Sequence, residues 1–180
     1  MKNLKILFVL FLLSQTIQAQ KYMTQNGVIS FFSSTPVEDI EAVNNQVSAV
    51  LNAENGQIAT ALLMKAYNFE KALMQEHFNE KYVESEKYPK STFKGQIVDF
   101  DKSSLSEKPS KVKIVGQLTI HGVTQYIEVE GDLSKNKDIV GLVFDFDVDV
   151  ADYNIDIPGP VKEKIAKTIK VSANFKMNAI

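Results

Sequence analysis

Alternation of apolar and polar residues with a period of two runs through the C-terminal half of the chain and most constrains its fold. Successive side chains of a β-strand point to opposite faces, so this pattern predicts strands with one buried and one solvated face. Turn-forming residues interrupt it at His121-Gly122 and at residues 135–138. Because these connections are short, consecutive strands should pair antiparallel. The alternating runs cover residues 112–120, 127–133, 140–150 and 169–177.

The N-terminal half is less regular, and its predicted elements are shorter. Asn55-Gly56 is a strong hairpin signal between two of its strands. Residues 69–78 are predicted to form a helix, since apolar residues recur four apart and Asn68 can act as the N-cap. A second short helix is predicted from Pro160 to about Ala166. The strand candidates are residues 28–33, 48–52, 57–65 and 92–100.

About eight strands with one or two short helices predict an all-β fold, a closed antiparallel barrel. Closure removes exposed strand edges, and eight strands enclose a lumen that is either packed or holds one small ligand. An outer-membrane barrel would need its apolar residues to face outward. That arrangement would crowd Asp145, Asp147 and Lys170 into a narrow lumen. We therefore expect a barrel with its apolar face inward.

The first nineteen residues have the pattern of a secretory signal peptide. Lys2 and Lys5 precede a short apolar run over residues 6–13, and a polar segment then leads to the small residue Ala19. The apolar run is shorter than the roughly 20 residues that cross a bilayer as a helix. We expect cleavage near Ala19, a single domain over residues 20–180, and a periplasmic or secreted protein that does not span the membrane.

The charged residues argue against a nucleic-acid partner. The sequence contains no arginine, the residue best suited to bidentate contacts with phosphates and bases. Removal of Lys2 and Lys5 with the signal peptide would take the net charge from −2 to −4, which also disfavours nucleic acid. The chain has no cysteine, so it forms no disulfides. The sequence leaves the oligomeric state open, a dimer included.

Several stretches, in the same order along the chain, resemble YceI-like proteins. This resemblance implies a lipocalin-like antiparallel barrel of eight strands, and a polyisoprenoid or fatty-acid-like ligand inside it. It also implies a periplasmic or secreted location. The chain differs in having no tryptophan and no Asp-x-x-His-Ser segment before the first strand, so it resembles a shortened branch of the family. The similar stretches are residues 34–42, 73–85, 87–89, 92–95, 116–124 and 152–158.

The inward apolar residues are candidates for lining a ligand channel. The same residues would equally fill a solid core, and alternation alone does not distinguish a lined lumen from a packed one. Gly116 and Gly131 fall in register with them and indicate either space for a ligand or a strand kink. The candidates are Val112, Ile114, Leu118, Val129, Leu142, Phe144, Phe146, Val171, Phe175 and Met177.

The resemblance to YceI-like proteins implies a function in binding a polyisoprenoid or fatty-acid-like apolar ligand, for transport, storage or sequestration. A polar head group would meet His77, Tyr82 or Tyr153 at the barrel mouth. The alternative is a structural or interaction module with a packed barrel core and no ligand.

A metal-dependent enzyme is a weaker alternative. His77, Glu80 and His121 could be drawn as a metal site, but nothing in the sequence brings His121 near the other two. No cysteine, nucleophile elbow or ordered serine–histidine pair is present for covalent catalysis. We therefore predict no enzyme activity, no cofactor and no metal.

Overall fold

The computed structural model describes residues 20–180, so the predicted signal peptide lies outside the described residues. Eight long strands form the barrel, and a two-residue strand, β4, pairs onto it. One α-helix, α1, spans Ala72–His77. The strands are β1 Lys21–Ser34, β2 Asp39–Asn52, β3 Gln57–Leu63, β4 Asn68–Phe69, β5 Lys90–Ile97, β6 Ser110–Ile120, β7 Val123–Asn136, β8 Ile139–Asp149 and β9 Thr168–Ala179.

The barrel is closed by the pairing of β1 with β2, and every pair of neighbouring strands is antiparallel. The order around the barrel is β1-β9-β8-β7-β6-β5-β3-β2. β2 pairs with β3 only over Ser48 to Leu51, and the two strands diverge beyond that point. There β4 pairs with β2, and the buried Asn44 donates a hydrogen bond from Nδ2 to the carbonyl of Leu63 at 2.9 Å. The predicted fold class, a closed antiparallel barrel, is confirmed.

The period-two pattern places the side chains of the C-terminal strands as expected. On β8, Val140, Leu142 and Val148 are buried, whereas Asp145 and Asp147 are exposed. In the N-terminal half, β1 begins at Lys21 and β2 at Asp39, earlier than residues 28 and 48. Irregular register between Thr24 and Ile29 breaks the alternation there. A bulge of this kind hides a strand from a search for strict period two.

Both predicted helices are wrong in extent. Asn68 and Phe69 pair with Val43 and Ala42 of β2, so the helix begins only at Ala72 and continues into a π-helical turn over Phe78–Tyr82. The second predicted helix is a single 3-10 turn over Gly159–Val161. A segment this short does not hold a helix on its own, so tertiary contacts decide its conformation.

The two ends of the barrel are built differently. We call the end where β1 begins and β9 ends the closed end, because its interior is filled by fully buried side chains. We call the opposite end the mouth. Its opening is surrounded by α1, the π-helical turn and residues 150–167. Within residues 20–180, no helix is long and apolar enough to span a membrane. Side chains with no exposed surface at the closed end are Tyr22, Leu51, Leu133, Val140, Leu142 and Met177.

Candidate ligand-binding cavity

A cavity of about 460 Å³ opens at the mouth; we call it the mouth chamber. Its wall comes from the mouth-side ends of the barrel strands, and its cover comes from α1, the π-helical turn and residues 150–167. The volume falls in the range of sites that enclose a small organic ligand. Its apolar lining includes Phe31, Ile40, Met64, Tyr67, Phe69, Phe78, Val148, Ile155, Ile157, Ile165, Ile169 and Val171.

A smaller inner cavity of about 80 Å³ lies deeper in the barrel. Five residues line both spaces, so the inner cavity continues the mouth chamber toward the closed end. Its remaining lining comes from the inward positions of the strands, with Thr60 and Ser91 the polar members. The barrel interior is therefore hollow toward the mouth and packed toward the closed end. The shared residues are Met64, Tyr67, Ile120, Val148 and Val171.

Four aromatic rings hold the cover of the mouth chamber to the barrel wall. Phe31 on β1 packs against Tyr67, Phe69 and Phe78, with ring centroids 5.2, 5.7 and 5.5 Å apart. Aromatic pairs at these separations contribute beyond their buried area. Burial raises the pKa of Tyr67, so its phenol stays neutral inside the chamber. This packing explains why Phe69 joins β4 rather than the helix.

The rim of the mouth chamber carries the few charges that line it. Lys71 Nζ lies 3.3 Å from Glu38 Oε1, which makes an exposed ion pair. Lys164 also lines the chamber, and no carboxylate of residues 20–180 forms a salt bridge with it. His77, Tyr82 and the buried Ser33 also line the chamber, and partial burial raises the pKa of Tyr82. The rim can therefore offer a cation and neutral donors to a ligand's polar end.

The structure divides the predicted channel residues between the hollow and packed parts of the barrel. Val171 lines both cavities. Val112, Leu142 and Met177 line neither and are buried in the barrel core. The others line the inner cavity: Ile114, Leu118, Val129, Phe144, Phe146 and Phe175.

The three residues predicted to meet a ligand's head group do not all lie in the same place. His77 and Tyr82 line the mouth chamber, but Tyr153 lines neither cavity. Tyr153 is buried where residues 150–153 pack beside β7, and burial, together with Asp152, raises its pKa to about 12. Tyr153 is thus a neutral side chain of the core.

Most of the mouth-chamber lining was not predicted from the sequence. It comes from residues 64–83 and 148–165, where the period-two pattern is absent or ends. The usable signal was the density of aromatic residues in the first of these segments, at Tyr67, Phe69, Phe78 and Tyr82. Such a density near a barrel end is typical of a binding surface.

The two glycines that indicated either space for a ligand or a strand kink are in close contact with the neighbouring residues. A Cβ atom at Gly116 would lie 2.7 Å from Cζ of Phe93, and one at Gly131 would lie 3.0 Å from Cβ of Phe144. Neither glycine lines a cavity. At Gly116 the missing side chain makes room for the Phe93 ring, and at Gly131 it makes room for backbone and Cβ atoms of β8.

His121 joins three segments that surround the mouth. Its Nε2 lies 2.7 Å from Oε2 of Glu84, and its Nδ1 lies 3.1 Å from the carbonyl oxygen of Tyr153. The Tyr88 ring meets the imidazole edge-on, with centroids 4.5 Å apart. Both ring nitrogens therefore lie within hydrogen-bond distance of an oxygen atom, which fixes the orientation of the imidazole. His121 is thereby engaged away from His77, and residues 20–180 contain no cluster of three or more potential metal ligands.

We expect the His121–Glu84 contact to stabilise the fold measurably. A hydrogen bond to a charged group contributes about 1.5 to 3 kcal/mol, but Glu84 is partly exposed, so the expected coupling energy is about 1 kcal/mol. A double-mutant cycle with His121→Ala and Glu84→Ala, measured by urea unfolding, gives this value. The same cycle on the exposed Lys65–Glu86 pair should give a value near zero. Equal coupling in the two cycles would contradict the prediction.

Comparison with known proteins gives one family and several similar folds. The YceI-like domain model matches residues 16–177. A polyisoprenoid binding domain from Saccharophagus degradans, implicated in plant cell wall breakdown, is 15% identical with a TM-score of 0.77, covering 90% of this chain and 99% of that one. Burkholderia cenocepacia BcnA is 14% identical with a TM-score of 0.70, covering 84% and 95%. Campylobacter jejuni YceI protein is 18% identical with a TM-score of 0.60, covering 76% and 83%. Among curated proteins, none matches the sequence significantly.

Proposed function

Because the chain belongs to the YceI-like family, we propose that it is an exported protein that binds one apolar lipid. The lipid, a fatty acyl or isoprenoid chain, occupies the mouth chamber and extends into the inner cavity. The observation that carries this proposal is the apolar chamber of about 460 Å³ at one end of the barrel. The similar fold of a polyisoprenoid binding domain supports the same class of ligand.

Burial of apolar surface supplies the affinity. Each Å² of apolar surface removed from water contributes about 25 cal/mol, offset by the entropy that ligand and side chains lose on binding. The chamber lining is mainly aliphatic and aromatic, with Tyr67 a neutral phenol within it. No nucleophile or metal ligand set is required for such a role. We propose a binding protein, not an enzyme.

Lys164 is proposed to meet an acidic head group at the rim. Its ammonium group lines the chamber without a salt-bridge partner among residues 20–180, whereas Lys71 is paired with Glu38. His77 and Tyr82 lie on the same lining and can add hydrogen bonds. A ligand carboxylate or phosphate would therefore stay near solvent while its chain enters the barrel.

Export is proposed from the N-terminal pattern of Lys2, Lys5 and the apolar run. Cell fractionation and N-terminal sequencing of the mature protein test it. A mature protein that begins at Gln20 outside the cytoplasm is expected. Recovery of the uncleaved chain in the cytoplasm would contradict export without bearing on ligand binding.

Native mass spectrometry of the protein purified from its own host tests the binding function. A noncovalent adduct with the mass of a lipid is expected, and extraction with organic solvent should remove it. If no adduct is found and the protein also fails to bind added fatty acids or isoprenoid alcohols, the proposal is wrong. The alternative, an interaction module without a ligand, would then be favoured.

Replacement of Lys164 with glutamine is expected to weaken dodecanoate binding by about two- to fivefold, the size of an exposed ion pair. Binding of dodecanol should not change, since the alcohol carries no charge. Displacement of a fluorescent fatty acid measures both affinities. Lys162→Gln is the matched control, because this exposed lysine lies in the same segment but does not line the chamber. Equal losses for acid and alcohol would contradict a charge contact.

A further inference from the structure

We propose that Phe93, Phe144 and Phe175 form a floor across the barrel that limits how far an apolar chain can enter. This inference rests on the proposed function and assigns the ligand a length. All three rings line the inner cavity, and the barrel beyond them is packed. We call these three residues the aromatic floor.

Phe93 occupies space that a pair of glycines opens in the barrel wall. Gly95 on β5 and Gly116 on β6 lie directly opposite each other in the strand register. A Cβ atom would lie 2.6 Å from Phe93 Cζ at Gly95 and 2.7 Å at Gly116. The ring therefore lies against bare backbone. If it were absent, the inner cavity would extend along this glycine pair.

Phe175 and Phe144 complete the floor on the opposite side. Phe175 is fully buried, and a Cβ atom at Gly27 would lie 2.7 Å from its Cδ1 atom. The Phe144 ring meets it edge-on, with centroids 5.9 Å apart and planes inclined at 70°. Beyond this pair, Leu142 and Met177 have no exposed surface and line neither cavity. A ligand chain has no continuous path past the two rings.

The depth above the floor sets the expected chain length. On β9, cavity-lining residues run from Ile169 to Phe175, six residue steps or about 20 Å along the strand. A strand tilt of about 40° reduces this to a depth of about 15 Å along the barrel axis. An extended chain advances about 1.2 Å per bond, so about twelve bonds fill the depth. The expected ligand is a medium-length acyl chain or an isoprenoid of similar backbone length.

Affinities for a series of saturated fatty acids test the floor. For the native protein, binding should strengthen by up to about fourfold per added methylene until the depth is filled, near dodecanoate, and then level off. For Phe93→Ala, the gain should continue to hexadecanoate, since the groove along Gly95 and Gly116 becomes available. Displacement of a fluorescent fatty acid, below the micelle concentration of each acid, gives the affinities.

Two further variants keep the test decisive. Phe100→Ala removes an equally large ring that packs against Gly56 outside both cavities, so the native plateau should remain. Val171→Phe narrows the junction of the two cavities, so affinity should level off at a shorter chain. The floor is overturned if native affinity rises through hexadecanoate, or if Phe93→Ala folds and binds dodecanoate but keeps the native plateau. If Phe93→Ala does not fold, an unchanged plateau for Val171→Phe overturns it. Failure of the native protein to bind any of these acids or any isoprenoid alcohol, with no lipid adduct in native mass spectrometry, would instead reject the proposed function itself.

Discussion

Replacement of Phe175 with alanine is expected to lower the free energy of unfolding by about 3 to 5 kcal/mol. The ring has no exposed surface, packs over Gly27 and meets Phe144 edge-on. Its loss removes apolar burial and leaves a void, because the surrounding strands are fixed by their hydrogen bonds and relax only partly. Urea unfolding measures the change, with an unchanged slope showing that the transition stays two-state.

Phe32→Ala is the control for this substitution. Phe32 lies on the same barrel wall in β1 but is 41% exposed, so its truncation should change the free energy of unfolding by less than about 0.5 kcal/mol. A loss below about 1 kcal/mol for Phe175→Ala would show that the barrel collapses around the void.

Added dodecanoate should stabilise the native protein, because a ligand that binds only the folded state shifts the unfolding equilibrium.

Replacement of Gly95 with alanine is expected to cost about 3 kcal/mol, at the upper end of the range for overpacking. A Cβ atom there would overlap the carbonyl oxygen of Val115 and lie 2.6 Å from Phe93 Cζ. The first contact is with backbone of the neighbouring strand, so relief requires β5 and β6 to separate. The ring of Phe93 would also have to leave its place over the glycine pair.

Gly159→Ala is the matched control for Gly95→Ala. Gly159 lies in the turn before Pro160 and has no positive φ, and a Cβ atom there would meet no atom within 4 Å outside its two chain neighbours. The substitution should be neutral or slightly stabilising, because alanine restricts the unfolded chain more than glycine does. Thermal unfolding of both variants compares them. Equal effects would mean that the close approach of β5 and β6 does not constrain the fold.

These contacts explain how one barrel can combine stability with an open site. At the closed end, residues such as Tyr22, Leu51 and Met177 have no exposed surface and line neither cavity. At the mouth, α1 and the π-helical turn contain no buried residue. Phe69 and Phe78 and the His121–Glu84 contact hold this cover in place. A site closed by few buried contacts is suited to open and admit a ligand.

The sequence by itself determined the strands of the C-terminal half and the direction in which their side chains point. Alternation is a local property of the strand, so Leu142 and Asp145 could be assigned to opposite faces without knowledge of their neighbours. The closed barrel followed from the number of strands and their short connections. The irregular β1, the two-residue β4 and the true start of α1 did not follow, because bulges and cross-strand packing override local pattern.

Only the tertiary structure decided which inward residues face empty space. Leu118 and Leu142 are indistinguishable by period and both are buried, yet Leu118 lines the inner cavity and Leu142 lines neither cavity. The difference depends on which side chains each residue contacts across the lumen. Strand register and barrel closure determine those contacts. Phe93 fills the groove over Gly95 and Gly116 because the register places the two glycines opposite each other. Inward direction is encoded residue by residue, whereas the volume left inside is a property of all eight strands together.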